Sequence, residues 1–138
     1  MVLLVAAALT GWGLVKHCGG GGLAEREIRA GIALTADGIA TRRVAQFRQA
    51  EDHYVDAASV TVLSSYPAFV LHVNRELEAA VSGGEVPSPI IAALLAQDWA
   101  EARRGAARTG APETKPREYW ERFIDELVSA ARAPRGGR

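Results

Sequence analysis

The pattern of apolar and polar positions begins with an uncharged run at residues 2–15, which read VLLVAAALTGWGLV. As a helix rising about 1.5 Å per residue, this run would be roughly 21 Å long, whereas the hydrocarbon core of a bilayer is about 30 Å thick. Snorkelling of Lys16 and local thinning of the bilayer can absorb part of the mismatch. The run therefore predicts a membrane anchor in which these residues contact lipid: Leu3, Leu4, Leu9, Trp12 and Leu14.

Two other interpretations of this segment stay open. A cleaved signal peptide has an apolar region of this length but normally a basic stretch before it, whereas Val2 follows Met1 directly. A helix buried in the core of a soluble protein is also typical of apolar runs of 10–14 residues. If the segment is an anchor, the basic residues after it predict an outside N-terminus and a cytoplasmic C-terminal domain in a single-pass protein. These residues are Lys16, Arg26 and Arg29.

Four consecutive glycines at 19–22 predict a flexible hinge between the anchor, residues 1–18, and the helical domain. From Leu23 to about Ser59, apolar or small residues recur at a spacing near 3.5, which indicates helix. Asp37-Gly38 is a turn dipeptide that could divide this stretch into two helices. Alternatively, Gly31 and Gly38 could give one helix a small-residue face that lets another helix approach closely.

Three further helices are predicted from their start signals and periodicity. Pro67 opens a helix that the glycines at 83 and 84 end, and Ser88-Pro89 opens another that fades near Gly105. Pro116 opens the last helix, which carries the clearest amphipathic stripe. Val60 to Leu63 has strand propensity but is short. The predicted fold is all-α: an N-terminal apolar helix, then a small bundle of three to five helices over residues 23–132 and a basic tail at 133–138.

Composition narrows the choice of partners. The formal net charge is zero and the pI is about 6.8, so nothing draws the whole molecule toward nucleic acid, and we expect none as a partner. Residues 101–138 hold nine basic and six acidic residues, a balance typical of an ordinary solvated face. The single cysteine, Cys18, cannot form an internal disulfide.

Candidate chemistry is limited to two pairs of histidine and carboxylate. His53 and Asp56 are three residues apart, and His72 and Glu76 are four apart, so each pair can share one helical face. If the two helices pack antiparallel, the four side chains could converge on a divalent metal. The simpler interpretation is a solvated helical surface. No nucleophile elbow, phosphate loop or other cofactor motif is present, and no cofactor is expected.

The sequence favours a non-catalytic, membrane-tethered helical interaction or accessory protein, such as a small subunit of a membrane complex. Its expected partners are the membrane and other protein subunits. The aromatic residues Tyr119, Trp120 and Phe123 of the last helix either cover the core or form a partner-binding surface. Two alternatives remain: a helical metalloprotein or enzyme using the four candidate ligands, and a soluble helical regulatory protein whose N-terminal helix lies in its core.

Overall fold

A computed structural model describes residues 22–86, 88–109 and 114–134, with the side chains of 114–116 excepted. Within these ranges the chain is a bundle of six α-helices and contains no strand. They are α1 (Gly22–Thr41), α2 (Val44–Val60), α3 (Tyr66–Val81), α4 (Pro89–Leu95), α5 (Trp99–Arg108) and α6 (Thr114–Arg132). The predicted all-α bundle is thus confirmed, but the described ranges hold six helices where the sequence predicts three to five.

The predicted anchor and its proposed lipid-contacting residues lie outside the described residues: Leu3, Leu4, Leu9, Trp12 and Leu14. Among the helices of the described ranges, none combines the length and hydropathy needed to span a bilayer. The last of the four predicted hinge glycines, Gly22, is the first residue of α1.

Helices α1 and α2 form an antiparallel hairpin that is packed through glycine. Helix α1 continues through Asp37-Gly38 and ends at Thr41, where the next residue, Arg42, adopts a positive φ of 59°. The ring of Tyr54 lies against Gly31 and that of Phe47 against Gly38. The stretch is therefore two helices, divided at Arg42-Arg43 and not at Asp37-Gly38, and the small-residue face at Gly31 and Gly38 is present on the first of them.

The boundaries of helices α3 to α5 lie at residues whose backbone or capping preferences start or end a helix. Pro67 occupies the first turn of α3, and Gly83, with φ of 94°, follows its end. The backbone N–H of Ile91 donates to Ser88 Oγ at the start of α4. The single helix predicted after Pro89 is instead two, because the chain turns at Gln97 with a φ of 56°. The strand propensity at Val60 to Leu63 is not realised: Val60 ends α2, and a loop comes next.

The core draws apolar side chains from all six helices. The largest fully buried side chains are Tyr54, Tyr66, Phe47, Phe123, Ile28, Ile39, Leu77, Ile91, Leu94, Ile124, Leu127 and Val70. Burying one such side chain contributes about 1.5–3 kcal/mol to folding. The Arg42 guanidinium also donates to the Leu95 carbonyl at 2.5 Å, which ties the α1–α2 turn to the end of α4. This bond satisfies a carbonyl that a helix terminus leaves without an intrahelical partner.

Contacts between helices bring four chain segments to one end of the bundle, here called the α2–α3 end. His53 of α2 pairs with Glu27, in the second turn of α1, so the end of α2 lies beside the start of α1. Ser65, just before α3, bonds to Tyr119 near the start of α6 at 2.8 Å. Consequently the starts of α1, α3 and α6 and the loop between α2 and α3 share this end.

Candidate functional site

Of the four candidate metal ligands, the structure brings His72 and Glu76 into contact and pairs His53 with Glu27. His53 Nδ1 lies 2.6 Å from Glu27 Oε2, across the α1–α2 interface. His72 Nε2 lies 2.7 Å from Glu76 Oε1 one turn along α3, as the i,i+4 spacing predicts. Asp56 is exposed on α2. Throughout the described ranges, no three His, Cys, Asp or Glu side chains are grouped so that they could hold a metal ion. In the described ranges the four candidate ligands therefore do not form a metal-binding group.

Phe123, one of the three aromatic candidates for partner binding, belongs to the core. It is fully buried, whereas Tyr119 and Trp120 are partly exposed. All three pack against Phe69 of α3, with ring centroids separated by 5.5 Å for Tyr119, 5.1 Å for Trp120 and 6.5 Å for Phe123. Since offset and edge-to-face rings attract one another at such distances, the stripe joins α6 to α3. Only the outer edges of Tyr119 and Trp120 remain available to a partner.

Arg122 organises a partly buried group of charges beside this cluster. Its guanidinium carbon lies 3.9 Å from the centroid of the Tyr66 ring, and its nitrogens contact Glu126 at 2.7 Å and Glu25 at 3.1 Å. The Tyr66 hydroxyl donates to Glu126 Oε1 at 2.8 Å. One arginine thus connects α1, α3 and α6, since a planar guanidinium can stack on an aromatic face while its N–H groups donate in the ring plane.

These contacts displace the pKa values of Tyr66 and Arg122. Burial raises the pKa of the Tyr66 hydroxyl well above its usual value, and the negative charge of Glu126 raises it further. For Arg122, burial by itself disfavours the charged guanidinium, but Glu126, Tyr66 and Glu25 together outweigh that effect and hold the pKa above its usual value. Neither group changes its charge near neutral pH, so the pair acts as a fixed structural contact there and not as an acid or base.

A second polar group lies wholly inside the bundle. Thr35 Oγ1 is 2.7 Å from the Tyr54 hydroxyl and 2.9 Å from Asn74 Oδ1, and Asn74 Nδ2 donates to the Phe47 carbonyl at 2.8 Å. Because Asn74 Oδ1 can only accept, the Thr35 hydroxyl donates to it and accepts from Tyr54. Burial raises the pKa of Tyr54, so its hydroxyl keeps its proton. This Thr35–Tyr54–Asn74 network bonds α1, α2 and α3 together.

Sequence reasoning missed this network, although a signal for it exists. Thr35 falls on the apolar face that Ile28, Ile32 and Ile39 define, and such a position is normally apolar. Asn74 likewise interrupts the buried face of α3. A polar residue on a buried face needs a hydrogen-bond partner, and in the described ranges every buried side-chain N or O atom has one. The network therefore has the character of a structural connection.

The remaining candidate is an open groove of about 870 Å³ between the second half of α1 and the end of α6. Its lining includes Leu34, Ala36, Asp37, Arg43 and Ala130. The Gln46 side-chain amide donates to Asp37, which already takes up part of the polar lining. Among the described residues that line the groove, no pair of side chains is arranged for acid–base or nucleophilic chemistry.

No protein-family model, no curated protein and no solved structure gives a match to this chain. Function must therefore be inferred from the residues and their arrangement.

Proposed function

We propose that this chain is a membrane-tethered helical interaction or accessory protein, acting as a small non-catalytic subunit of a membrane complex. Residues 2–15 hold it in the bilayer, and the helical bundle presents surfaces to other subunits. The observation that carries the proposal is the uncharged run of 14 residues that precedes a helical domain. A run of this hydropathy costs free energy in water unless lipid or protein covers it.

The closed core of the bundle supports the tether over the alternative in which the N-terminal segment is a core helix. In the described ranges, 22 apolar residues drawn from all six helices are each at most 6% exposed. Helices α1 to α6 therefore supply a core of their own, and in this proposal lipid covers the uncharged run at residues 2–15.

The orientation of the proposed tether is derived from the charges beside it. Arg26 and Arg29 are exposed on the first turns of α1, and Lys16 directly follows the apolar run. Basic residues close to one end of a membrane segment favour the cytoplasmic side. We therefore propose that the bundle is cytoplasmic and that the N-terminus lies outside.

Fractionation of the full-length chain tests the tether. The protein should remain with membranes after washes with high salt and carbonate, and detergent should release it. The variant L4R/L9R should move to the supernatant, because an arginine at the centre of a membrane segment costs about 2.5–3.5 kcal/mol. The matched control L4I/L9I should stay in the pellet. Native protein that is found in the supernatant without detergent would overturn the proposal.

The interaction role and the orientation each need a separate measurement. In mild detergent, the full-length chain should elute as a complex larger than one chain in its micelle, with the same partner retained after affinity capture. A monomer that retains no partner would contradict the accessory role. Protease added outside sealed cells should leave the bundle intact, and its cleavage there would reverse the proposed orientation.

A further inference from the structure

The loop between α2 and α3 exposes apolar side chains to an unusual degree. Val62 and Leu63 are each 93% exposed, and Val60 beside them is 38% exposed. Leu23, in the first turn of α1, is 50% exposed. Single exposed apolar residues are common on protein surfaces, but Val62 and Leu63 are adjacent, branched and almost fully exposed in one loop, and Val60 is exposed at the start of that loop.

These residues lie at the end of the bundle where the chain from residues 1–21 enters it. The contact between Glu27 and His53 places the start of α1, which carries Leu23, at the level of the last turns of α2. Glu25 reaches Arg122 at 3.1 Å, so the same level of α1 also lies beside the first half of α6. The loop and the entry point of the chain thus share the α2–α3 end.

We propose that the α2–α3 loop inserts Val62 and Leu63 into the surface of a lipid bilayer, as a second membrane contact beside the N-terminal tether. This inference rests on the proposed function, since the tether at residues 2–15 directs the α2–α3 end toward the membrane. The bundle then stands on the membrane with its helices steeply inclined to the surface, and the α3–α4 loop faces away.

A lipid surface fits this end better than a protein partner does. A stable protein interface buries at least about 1,000 Å² and usually receives its anchor side chains in pockets, whereas Val62 and Leu63 project from a narrow loop tip. Ser64 is exposed beside them and accepts from the Tyr66 backbone N–H, and a hydroxyl that accepts one hydrogen bond can still donate to a lipid headgroup.

The surroundings of the loop also match the layering of a membrane interface. Ser65 contacts Tyr119 at 2.8 Å, so the half-buried rings of Tyr119 and Trp120 lie directly behind the loop. Tyr and Trp prefer the headgroup level, where an apolar ring and a polar tip are both satisfied. Exposed charges of both signs occur there, including Arg26 and Asp56. The insertion therefore relies on apolar contact and should not require anionic lipid.

Site-specific fluorescence in neutral vesicles tests the inference. The full-length chain with Cys18→Ser carries one new cysteine, L63C, labelled with an environment-sensitive fluorophore and reconstituted into phosphatidylcholine vesicles. The matched control is V86C, because Val86 is an exposed valine, 45% accessible, in the loop between α3 and α4 at the other end of the bundle. Both positions are exposed, so neither label should disturb the core.

The label at position 63 should shift its emission to the blue, be quenched by spin-labelled lipid and be protected at least about fivefold from aqueous iodide, relative to position 86. Iodide quenching equal to that at position 86 would overturn the inference. Protection from both quenchers would also overturn it, because protein, such as residues 2–15 or a second copy, would then cover the loop. Co-sedimentation in the same sample separates the two proposals: protein that sediments with the vesicles but carries a water-exposed loop refutes only the loop insertion. Protein that does not sediment refutes both.

Discussion

The ring of Tyr54 fills the space beside Gly31, such that a Cβ at Gly31 would come within 2.8 Å of Tyr54 Cδ1. The same arrangement recurs one heptad later, where a Cβ at Gly38 would come within 2.9 Å of Phe47 Cε2. These two glycines set how closely α1 and α2 approach. The hydroxyl of the same tyrosine then bonds to Thr35, one turn along α1. Packing and hydrogen bonding therefore hold Tyr54 in a single position.

Gly31→Ala should destabilise the bundle by about 1–3 kcal/mol, the usual cost of overpacking a core. A loss of stability would identify overpacking as the cause, because alanine is otherwise favoured over glycine in a helix by about 1 kcal/mol. Denaturant unfolding of the full-length chain in detergent measures the change. In a Tyr54→Leu background the penalty should shrink, since the ring that meets the new methyl group is gone. A Gly31→Ala protein more stable than the native one would contradict the contact.

Thr35→Val should destabilise the bundle by about 2–6 kcal/mol. The substitution keeps the shape but removes the hydroxyl, which leaves the Tyr54 hydroxyl and Asn74 Oδ1 buried without a partner, at about 1–3 kcal/mol for each such group. The matched control is Thr41→Val on the same helix, where the hydroxyl donates to the Asp37 carbonyl at an exposed position. That control should change the unfolding free energy by less than about 0.5 kcal/mol. Equal destabilisation by Thr35→Val and Thr41→Val would show that the Thr35–Tyr54–Asn74 network contributes no stability beyond the change in helix propensity.

The features that the sequence predicts correctly depend on neighbours along the chain. Pro67 and Ser88-Pro89 mark helix starts through local sterics and capping, and the apolar stripe of α6 reflects a period that is visible without knowledge of its partner. The small-residue face at Gly31 and Gly38 is predictable as one of two options for the same reason. Each of these signals is contained within a few turns of one helix.

The features that the sequence does not predict depend on partners far along the chain or on rare backbone conformations. Thr35 meets Asn74 from 39 residues away, and His53 meets Glu27 from 26 residues away. Periodicity shows which face is buried but does not show what lies opposite. The turns at Arg42 and Gln97 carry no glycine, although glycine is the usual sign of a positive φ at a helix end. The predicted number of helices is therefore too low.

The pairing of His53 with Glu27 and of His72 with Glu76 predicts that a chelator will not affect the fold. Dialysis against EDTA should leave the thermal midpoint unchanged, and the His53→Ala variant should respond in the same way as the native chain. A structural metal would behave differently, because its binding free energy is part of the folding free energy. A midpoint that falls on chelation and is restored by zinc in the native chain alone would instead support a metal site at His53.

Tyr66→Phe should make the bundle less sensitive to alkaline pH. The folded state holds the pKa of Tyr66 above its usual value of 10.0, through burial and the charge of Glu126. The resulting stabilisation is complete below pH 10 and is lost as the pH rises above it, since the unfolded chain ionises first. Each such tyrosine should reduce the unfolding free energy by about 1.4 kcal/mol per pH unit in that range.

Native protein, with Tyr54 and Tyr66 both affected, should therefore lose stability more steeply above pH 10 than Tyr66→Phe does. At pH 7 the variant should be less stable by about 1.5–3 kcal/mol, because it lacks a hydrogen bond to a charged partner, and the difference should narrow at pH 11. Tyr54→Phe provides the comparison, since burial also raises the pKa of Tyr54. Identical alkaline slopes for all three proteins would contradict the burial of these hydroxyls.

Gln97→Gly should stabilise the bundle by about 0.5–1 kcal/mol. Gln97 follows the end of α4 with a φ of 56°, and its side chain is exposed. In this left-handed conformation a residue with a side chain pays about 1–2 kcal/mol of strain, and glycine does not. Part of that gain is cancelled because glycine has more conformational freedom to lose when the chain folds.

Arg42→Gly is the matched control, because Arg42 has a nearly identical φ of 59° but donates to the Leu95 carbonyl. Its relief of strain is offset by the lost hydrogen bond, so the control should show no gain. Equal stabilisation by both substitutions would mean that the Arg42 bond contributes nothing, whereas a destabilised Gln97→Gly protein would mean that the turn at Gln97 is not strained.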